Sequence, residues 1–119
     1  MTAPNIVNVA TITGKSAVAN VTTVATDLVT NAAASGQLHK IDSLVISNVN
    51  GTSPANISAS LYRSTTEYKV AHLISVPAQG SLVVISKDTM VYLEEGDSLR
   101  LTSSANNFLH AVCSYEIIS

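Results

Sequence analysis

From Asn56 to Ser119 the chain is a succession of short runs in which apolar and polar residues alternate. Successive side chains on a strand point to opposite faces, so a period of two predicts half-buried strands. Ile57, Ala59 and Leu61 share one face, with Ser58 and Ser60 on the other. After a turn at Ser64 to Thr66, Tyr68, Val70, His72, Ile74 and Val76 alternate with Lys69, Ala71, Leu73 and Ser75. The run stops at Pro77, and Pro77 to Gly80 reads as a connecting turn. The unbroken apolar stretch Leu82 to Ile85, within Ser81 to Ser86, predicts a strand covered on both faces in the middle of the core.

A short strand from Met90 to Leu93 runs into Glu94, Glu95, Gly96 and Asp97, a tight reversal. Leu99 and Leu101 then alternate with Ser98, Arg100 and Thr102. Beyond an Asn106-Asn107 tip, Leu109, Ala111, Cys113, Tyr115 and Ile117 share a face. These last two runs predict a hairpin. Upstream, Leu38 to Val49 is apolar on both faces and reads as another central strand, ended by the loop residues Asn50 to Pro54. In residues 1–36, Val18, Val21, Ala25 and Leu28 fit a helical spacing, but the density of valine and threonine from Val21 to Thr30 favours strands. Ala32 to Gly36 is a small-residue linker.

Seven to nine short strands separated by turns predict an all-β fold, an antiparallel β-sandwich of jelly-roll or immunoglobulin-like topology, with a closed barrel as the lesser alternative. The 119 residues suit one domain. Residues 37–119 supply the sandwich, and residues 1–36 supply N-terminal strands or an arm that pairs with a neighbouring subunit.

Composition narrows the classes of function. Charged residues make up only 12% of the chain, about half the usual share, while Ser, Thr and Asn together supply roughly a third. Such a surface repels copies of itself weakly and suits assembly. The net charge of −2 and the scattered Lys and Arg offer no basic stripe for nucleic acid. With Phe108, four tyrosines and no tryptophan, stacking platforms for bases or sugar rings are scarce. Cys113 is a lone cysteine in a strand pattern and reads as a buried small hydrophobe. Neither a signal peptide nor an apolar run of membrane-spanning length is visible, so folding in a cytosol and no membrane partner are expected.

No motif carries chemistry. Gly14-Lys15-Ser16 resembles the end of a phosphate-binding loop, but Val9 stands where that motif needs a glycine, and a strand-connecting turn is expected there. His39, His72 and His110 are far apart and are expected to be satisfied or exposed. Glu94, Glu95 and Asp97 lack the regular ligand alternation of a calcium loop and read as a solvated turn. No nucleophile elbow surrounds any serine. Asn20, Asn50 and Asn56 begin N-x-Ser/Thr triplets at about the frequency chance supplies. The expectation is therefore no enzyme, no catalytic, cofactor-binding or metal site, and no cofactor.

The order of features in Val76-Pro77-Ala78 through Leu82-Val83-Val84, then Val91-Tyr92-Leu93-Glu94-Glu95-Gly96-Asp97-Ser98-Leu99-Arg100-Leu101, and last Cys113-Ser114-Tyr115-Glu116, is familiar. It resembles the small virion structural proteins of tailed bacteriophages, particularly those infecting cyanobacteria, over residues 38–119, with Ile6 to Asn31 fitting more loosely. A similar valine-proline and Leu-x-x-Gly-Asp arrangement recurs in trimeric jelly rolls of the C1q and tumour-necrosis-factor type. The resemblance implies a part of the virion, either a capsid decoration (cement) protein or a neck or tail accessory. Its expected partners are itself, as a homo-oligomer of three-fold or higher cyclic symmetry, and capsid, neck or tail proteins. The alternative is a receptor-binding or adhesive module contacting host-surface glycans through loops such as Asn50 to Asn56 or Asn106-Asn107.

Overall fold

The structure, a computed structural model, describes residues 11–119. Nine strands follow one another: β1 (Ile12–Val21), β2 (Thr26–Thr30), β3 (Leu38–Asn48), β4 (Ala55–Arg63), β5 (Thr66–Val76), β6 (Ser81–Ile85), β7 (Val91–Leu93), β8 (Ser98–Ser103) and β9 (Leu109–Ile118). One sheet has the order β1-β9-β3-β6, with β7 continuing β6 along the same side of β3. The other has the order β2-β8-β4-β5. All the pairings are antiparallel. The chain therefore crosses from sheet to sheet at every connection except the β4–β5 hairpin and the collinear step from β6 to β7. With β6 and β7 counted as one broken strand, this is the two-sheet strand order of a jelly roll, which decides between the two sandwich topologies expected.

The sheets bury their facing apolar rows against each other. Ile41, Leu44, Ile46, Ile85, Leu93, Leu109, Ala111 and Cys113 come from one sheet, and Val29, Ile57, Ala59, Val76, Leu99 and Leu101 from the other. Each large aliphatic side chain so buried contributes about 1.5–3 kcal/mol. Cys113 is completely enclosed, and burial, with a smaller contribution from the charge of Asp42, pushes its thiol pKa up to about 11. It is a packing residue, protonated and unreactive at neutral pH.

Three pairings differ from the sequence expectation. The runs carrying Leu99 and Leu109 form no hairpin: β8 pairs with β2 and β4, while β9 pairs with β1 and β3 in the opposite sheet. Both present apolar faces to one core from opposite sides, so their patterns match without their backbones meeting. Second, β6 is not central. It lies at the edge of its sheet, Ile85 alone fully buried and Val83 60% exposed. Third, the alternation along β5 is interrupted. Register shifts opposite Ala59 and a left-handed φ of 50° at Leu73 place Tyr68, Ala71 and Ile74 opposite the core-facing Leu61, Ala59 and Ile57. Bulges of this kind bend a strand and re-aim its side chains.

In the N-terminal third, β1 pairs along its whole length with β9, and β2 pairs with β8, of the same chain. The part of the expected arm before residue 11 lies outside the described residues.

The Pro77 to Gly80 turn closes with the Gly80 amide donating to the Pro77 carbonyl at 2.9 Å. A Cβ on Gly80 would lie 2.7 Å from Pro77 Cγ and 3.2 Å from its carbonyl oxygen, whereas one on Gly14 would meet nothing within 4 Å. Gly80→Ala is therefore expected to cost about 1–2 kcal/mol in urea unfolding, and Gly14→Ala to leave stability unchanged or raise it slightly.

Candidate functional site

The residues singled out for possible chemistry are dispersed by the fold. Gly14, Lys15 and Ser16 lie inside β1, not in the turn expected of them, paired with Glu116, Tyr115 and Ser114 of β9. An extended, paired backbone cannot wrap its amides around a phosphate. His39, His72 and His110 sit on β3, β5 and β9. His72 and His110 are exposed. Among the described residues, no group of three or more His, Cys, Asp or Glu side chains is placed to hold a metal ion.

His39 is only partly satisfied. It is 5% exposed, its Nε2 lies 3.1 Å from Gln37 Oε1, and its Nδ1 has no hydrogen-bond partner. The Tyr115 ring lies 5.8 Å away, centroid to centroid. Burial, reinforced by the positive charge of Lys15, lowers its pKa from the ordinary 6.5. It is a neutral corner residue.

The acidic turn is a structural latch. Glu94 to Asp97 closes with the Asp97 amide donating to the Glu94 carbonyl at 3.0 Å, and Gly96 takes a φ of 88° that a glycine adopts without strain. The Asp97 side chain, 3% exposed, accepts from the Glu94 amide at 2.8 Å and from Arg63 Nε and a terminal nitrogen at 2.9 and 2.6 Å. Arg63 reaches Glu94 as well, at 2.7 Å. These contacts hold the guanidinium pKa above its already high ordinary value, the Asp97 hydrogen bond contributing most. Buried Asn31 ties in the segment before β3. Its side-chain amide donates to the Gln37 and Leu93 carbonyls, both at 2.9 Å, and its Oδ1 accepts from Ser35 at 2.6 Å. The Gly36 amide donates to Glu95 at 3.0 Å. Every charge in the turn serves an intramolecular contact.

The surface feature without an intramolecular role is the outer face of the β1-β9-β3-β6 sheet. Register aligns Val18 with Val112, Val112 with Val45, and Val45 with Val83, a row of valines across all four strands. Val18 is 73% exposed, Val83 60% and Val112 47%. Ser16, Ser114 and Ser43 flank the row on one side, and Asn20, His110, Ser47 and Ser81 on the other. None of these residues is Asp, Glu, Lys or Arg. Charge begins beyond them, where Lys40, Asp42, Lys87 and Glu116 surround a shallow hollow of about 400 Å³. There the Glu116 pKa is raised because Asp42 hydrogen-bonds and repels it, against a smaller opposing effect of Lys40 and Lys87.

The opposite sheet is finished differently. Arg100 pairs with Asp27 at 2.8 Å and lies 3.6 Å over the Tyr62 ring, Lys69 faces Glu67 at 3.7 Å, and Ser60 donates to Glu67 at 3.1 Å. That is a solvated face. Its edge strand β5 also exposes apolar side chains beside Glu67 and Lys69, with Tyr68, Val70, Leu73 and Ile74 between 38% and 60% exposed. The candidate site is therefore a pair of surfaces, a valine–serine face and the partly apolar β5 edge. Sequence reading missed the valine row, because its members lie on four strands and only the register joins them. Low charge was the one signal pointing toward it.

These features define a class, a jelly-roll sandwich with one exposed valine row. The sequence matches no protein-family model and no curated protein at a significant level.

Two consequences can be measured. Asp97→Ala leaves the Glu94 amide and Arg63 without their shared acceptor, and is expected to cost about 2–3 kcal/mol in urea unfolding. Because the folded-state pKa of His39 lies below its unfolded value of 6.5, the unfolded chain binds more protons as pH falls through that value. Stability should thus decline on acidification from pH 7 toward pH 5, and the His39→Gln variant should show a shallower decline over that window.

Proposed function

We propose that the protein is a non-enzymatic structural subunit of a phage virion, a capsid decoration or a neck or tail accessory. It would act by laying uncharged sandwich surfaces against copies of itself and against other virion proteins. The observation that carries this reading is the valine–serine face. A folded monomer gains nothing from exposing a row of valines across a whole sheet, while the opposite sheet is finished with ion pairs. The resemblance of residues 38–119 to small virion proteins supplies the setting.

The mechanism is linkage. A partner that binds only the assembled, folded state stabilises it by RT ln(1 + [L]/Kd), which grows as the free partner exceeds its Kd. Such a subunit needs shape, apolar area and resistance to local opening, which the corner latches provide. It needs no reactive group.

The test is direct. Electron cryomicroscopy of intact particles should place the chain on the outer surface of head, neck or tail, and particles lacking it should lose infectivity sooner on heating or osmotic shock. Equal resistance would count against a cement role. Glycan capture by the purified protein, with particle stability unaffected, would favour the adhesive alternative.

A further inference from the structure

The loop that follows β3 holds an asparagine–glycine pair whose reacting groups the fold leaves open. We infer that Asn50-Gly51 is a site of spontaneous covalent modification, at which the Asn50 side chain cyclises onto the Gly51 nitrogen, sheds ammonia and ends as aspartate or isoaspartate.

The first observation concerns the electrophile. Asn50 Oδ1 accepts from the Thr52 amide at 2.9 Å, the Ser53 amide at 2.8 Å and the Thr52 hydroxyl at 3.2 Å. These bonds fold the side chain forward over the Gly51 peptide, and they set three donors on the oxygen that becomes negative when a nucleophile adds to Cγ. Donors fixed where charge develops lower such a barrier. The second concerns the nucleophile. Gly51 is exposed and its amide donates to no group among the described residues, so its nitrogen can lose a proton to solvent without breaking a bond. Glycine also has no Cβ to shield that nitrogen. The third is the leaving group, since Asn50 Nδ2 donates to nothing among the described residues.

The other two corner asparagines are built the opposite way. Asn31 and Asn48 are buried, the side-chain nitrogen of each donates to two carbonyls, and Ala32 and Val49 follow them. Departure of either nitrogen would break two bonds.

The step needs only water. Deprotonated Gly51 N bonds to Asn50 Cγ, the Cγ–Nδ2 bond breaks, and the departing nitrogen takes a proton and leaves as ammonia. Both partners belong to adjacent residues, so the encounter is intramolecular. Water then opens the cyclic imide on one side or the other. Opening at Cγ gives aspartate, whose carboxylate still accepts from the Thr52 and Ser53 amides. Opening at the other carbonyl routes the main chain through Cγ and adds a methylene between Asn48 and Ser53, residues joined by the Asn48 side chain at 3.0 Å. It also turns the Asn50 carbonyl, which accepts from the Gln79 amide at 3.2 Å, into a carboxylate outside the main chain. Only the isoaspartyl product distorts the corner.

The test uses the full folded chain, kept warm at neutral pH for several weeks and followed by peptide mapping in the mass spectrometer and by isoaspartyl methyltransferase labelling. Asn50 should convert while Asn31 and Asn48 stay intact. Gly51→Ala should slow conversion about tenfold, because a side chain obstructs the attacking nitrogen. The added Cβ would meet only Gln79 Nε2, at 3.7 Å, so the fold should tolerate it. Thr52→Val, which removes the hydroxyl donor, should slow the folded chain roughly twofold or more and leave the rate in concentrated urea unchanged. The isoaspartyl species should unfold at lower urea than Asn50→Asp, which stands for the other product.

An Asn50 that stays intact in the folded chain, over a time in which the urea-unfolded chain converts, would overturn the inference. So would equal conversion at Asn31 or Asn48. A Thr52→Val variant that converts at the unaltered rate would overturn the assistance assigned to the donors. Should a substitution disturb folding, seen by circular dichroism, the comparison of folded and urea-unfolded unaltered chain still decides.

Discussion

The structure depends on a repeated cost at its corners. A jelly roll carries its chain from one sheet to the other at nearly every connection, and at each crossing the backbone leaves one ladder before it joins the next. Amide and carbonyl groups there are enclosed enough to lose water but have no strand to pair with. Side chains replace the missing partners. Asn31 and Asp97 do so where β2 gives way to β3 and β7 to β8. At the other end, buried Asn48 donates to the Ser53 and Val76 carbonyls, both at 3.0 Å, and accepts from the Asn50 amide at 2.9 Å. Asn50 in turn accepts from the Thr52 and Ser53 amides. Asn106 takes the Thr23 amide, and the Ser103 hydroxyl folds the β8–β9 link back on itself.

The corner chemistry gives the unusual composition a physical meaning. Several of the Asn and Ser residues hold crossings shut, and others flank the valine row. Charge is sparse because neither job calls for it. Where charge does occur it is placed with purpose: Arg63 with Asp97 and Glu94 at a corner, Arg100 with Asp27 and Lys69 with Glu67 on the solvated sheet. One face is thus finished with ion pairs, and the other carries a flat valine–serine row with charge only toward its Lys40–Glu116 end.

Strands, turns and faces were legible locally. The alternation of Ile57, Ala59 and Leu61, the breaks at Pro77 and Gly80, and the glycine of the acidic turn each depend on neighbours a few residues away. Partners were not legible. Leu99 and Leu109 lie on strands with matching patterns and a short link, which is hairpin grammar, yet the link spans the gap between sheets. An unbroken apolar run such as Leu82 to Ile85 is also ambiguous in sequence. It describes a buried strand or an edge strand with an apolar side chain in solvent, and here Val83 belongs to the second kind.

What the amino-acid order determined by itself was an all-β sandwich with a sparsely charged surface, because side-chain period and composition are properties of short segments and of the whole chain. Which strands pair, which face is left apolar, and that four separate valines form one row were decided only by the tertiary structure. Register is a relation between distant segments, and a shift of one residue would turn every one of those valines to the other side of its sheet.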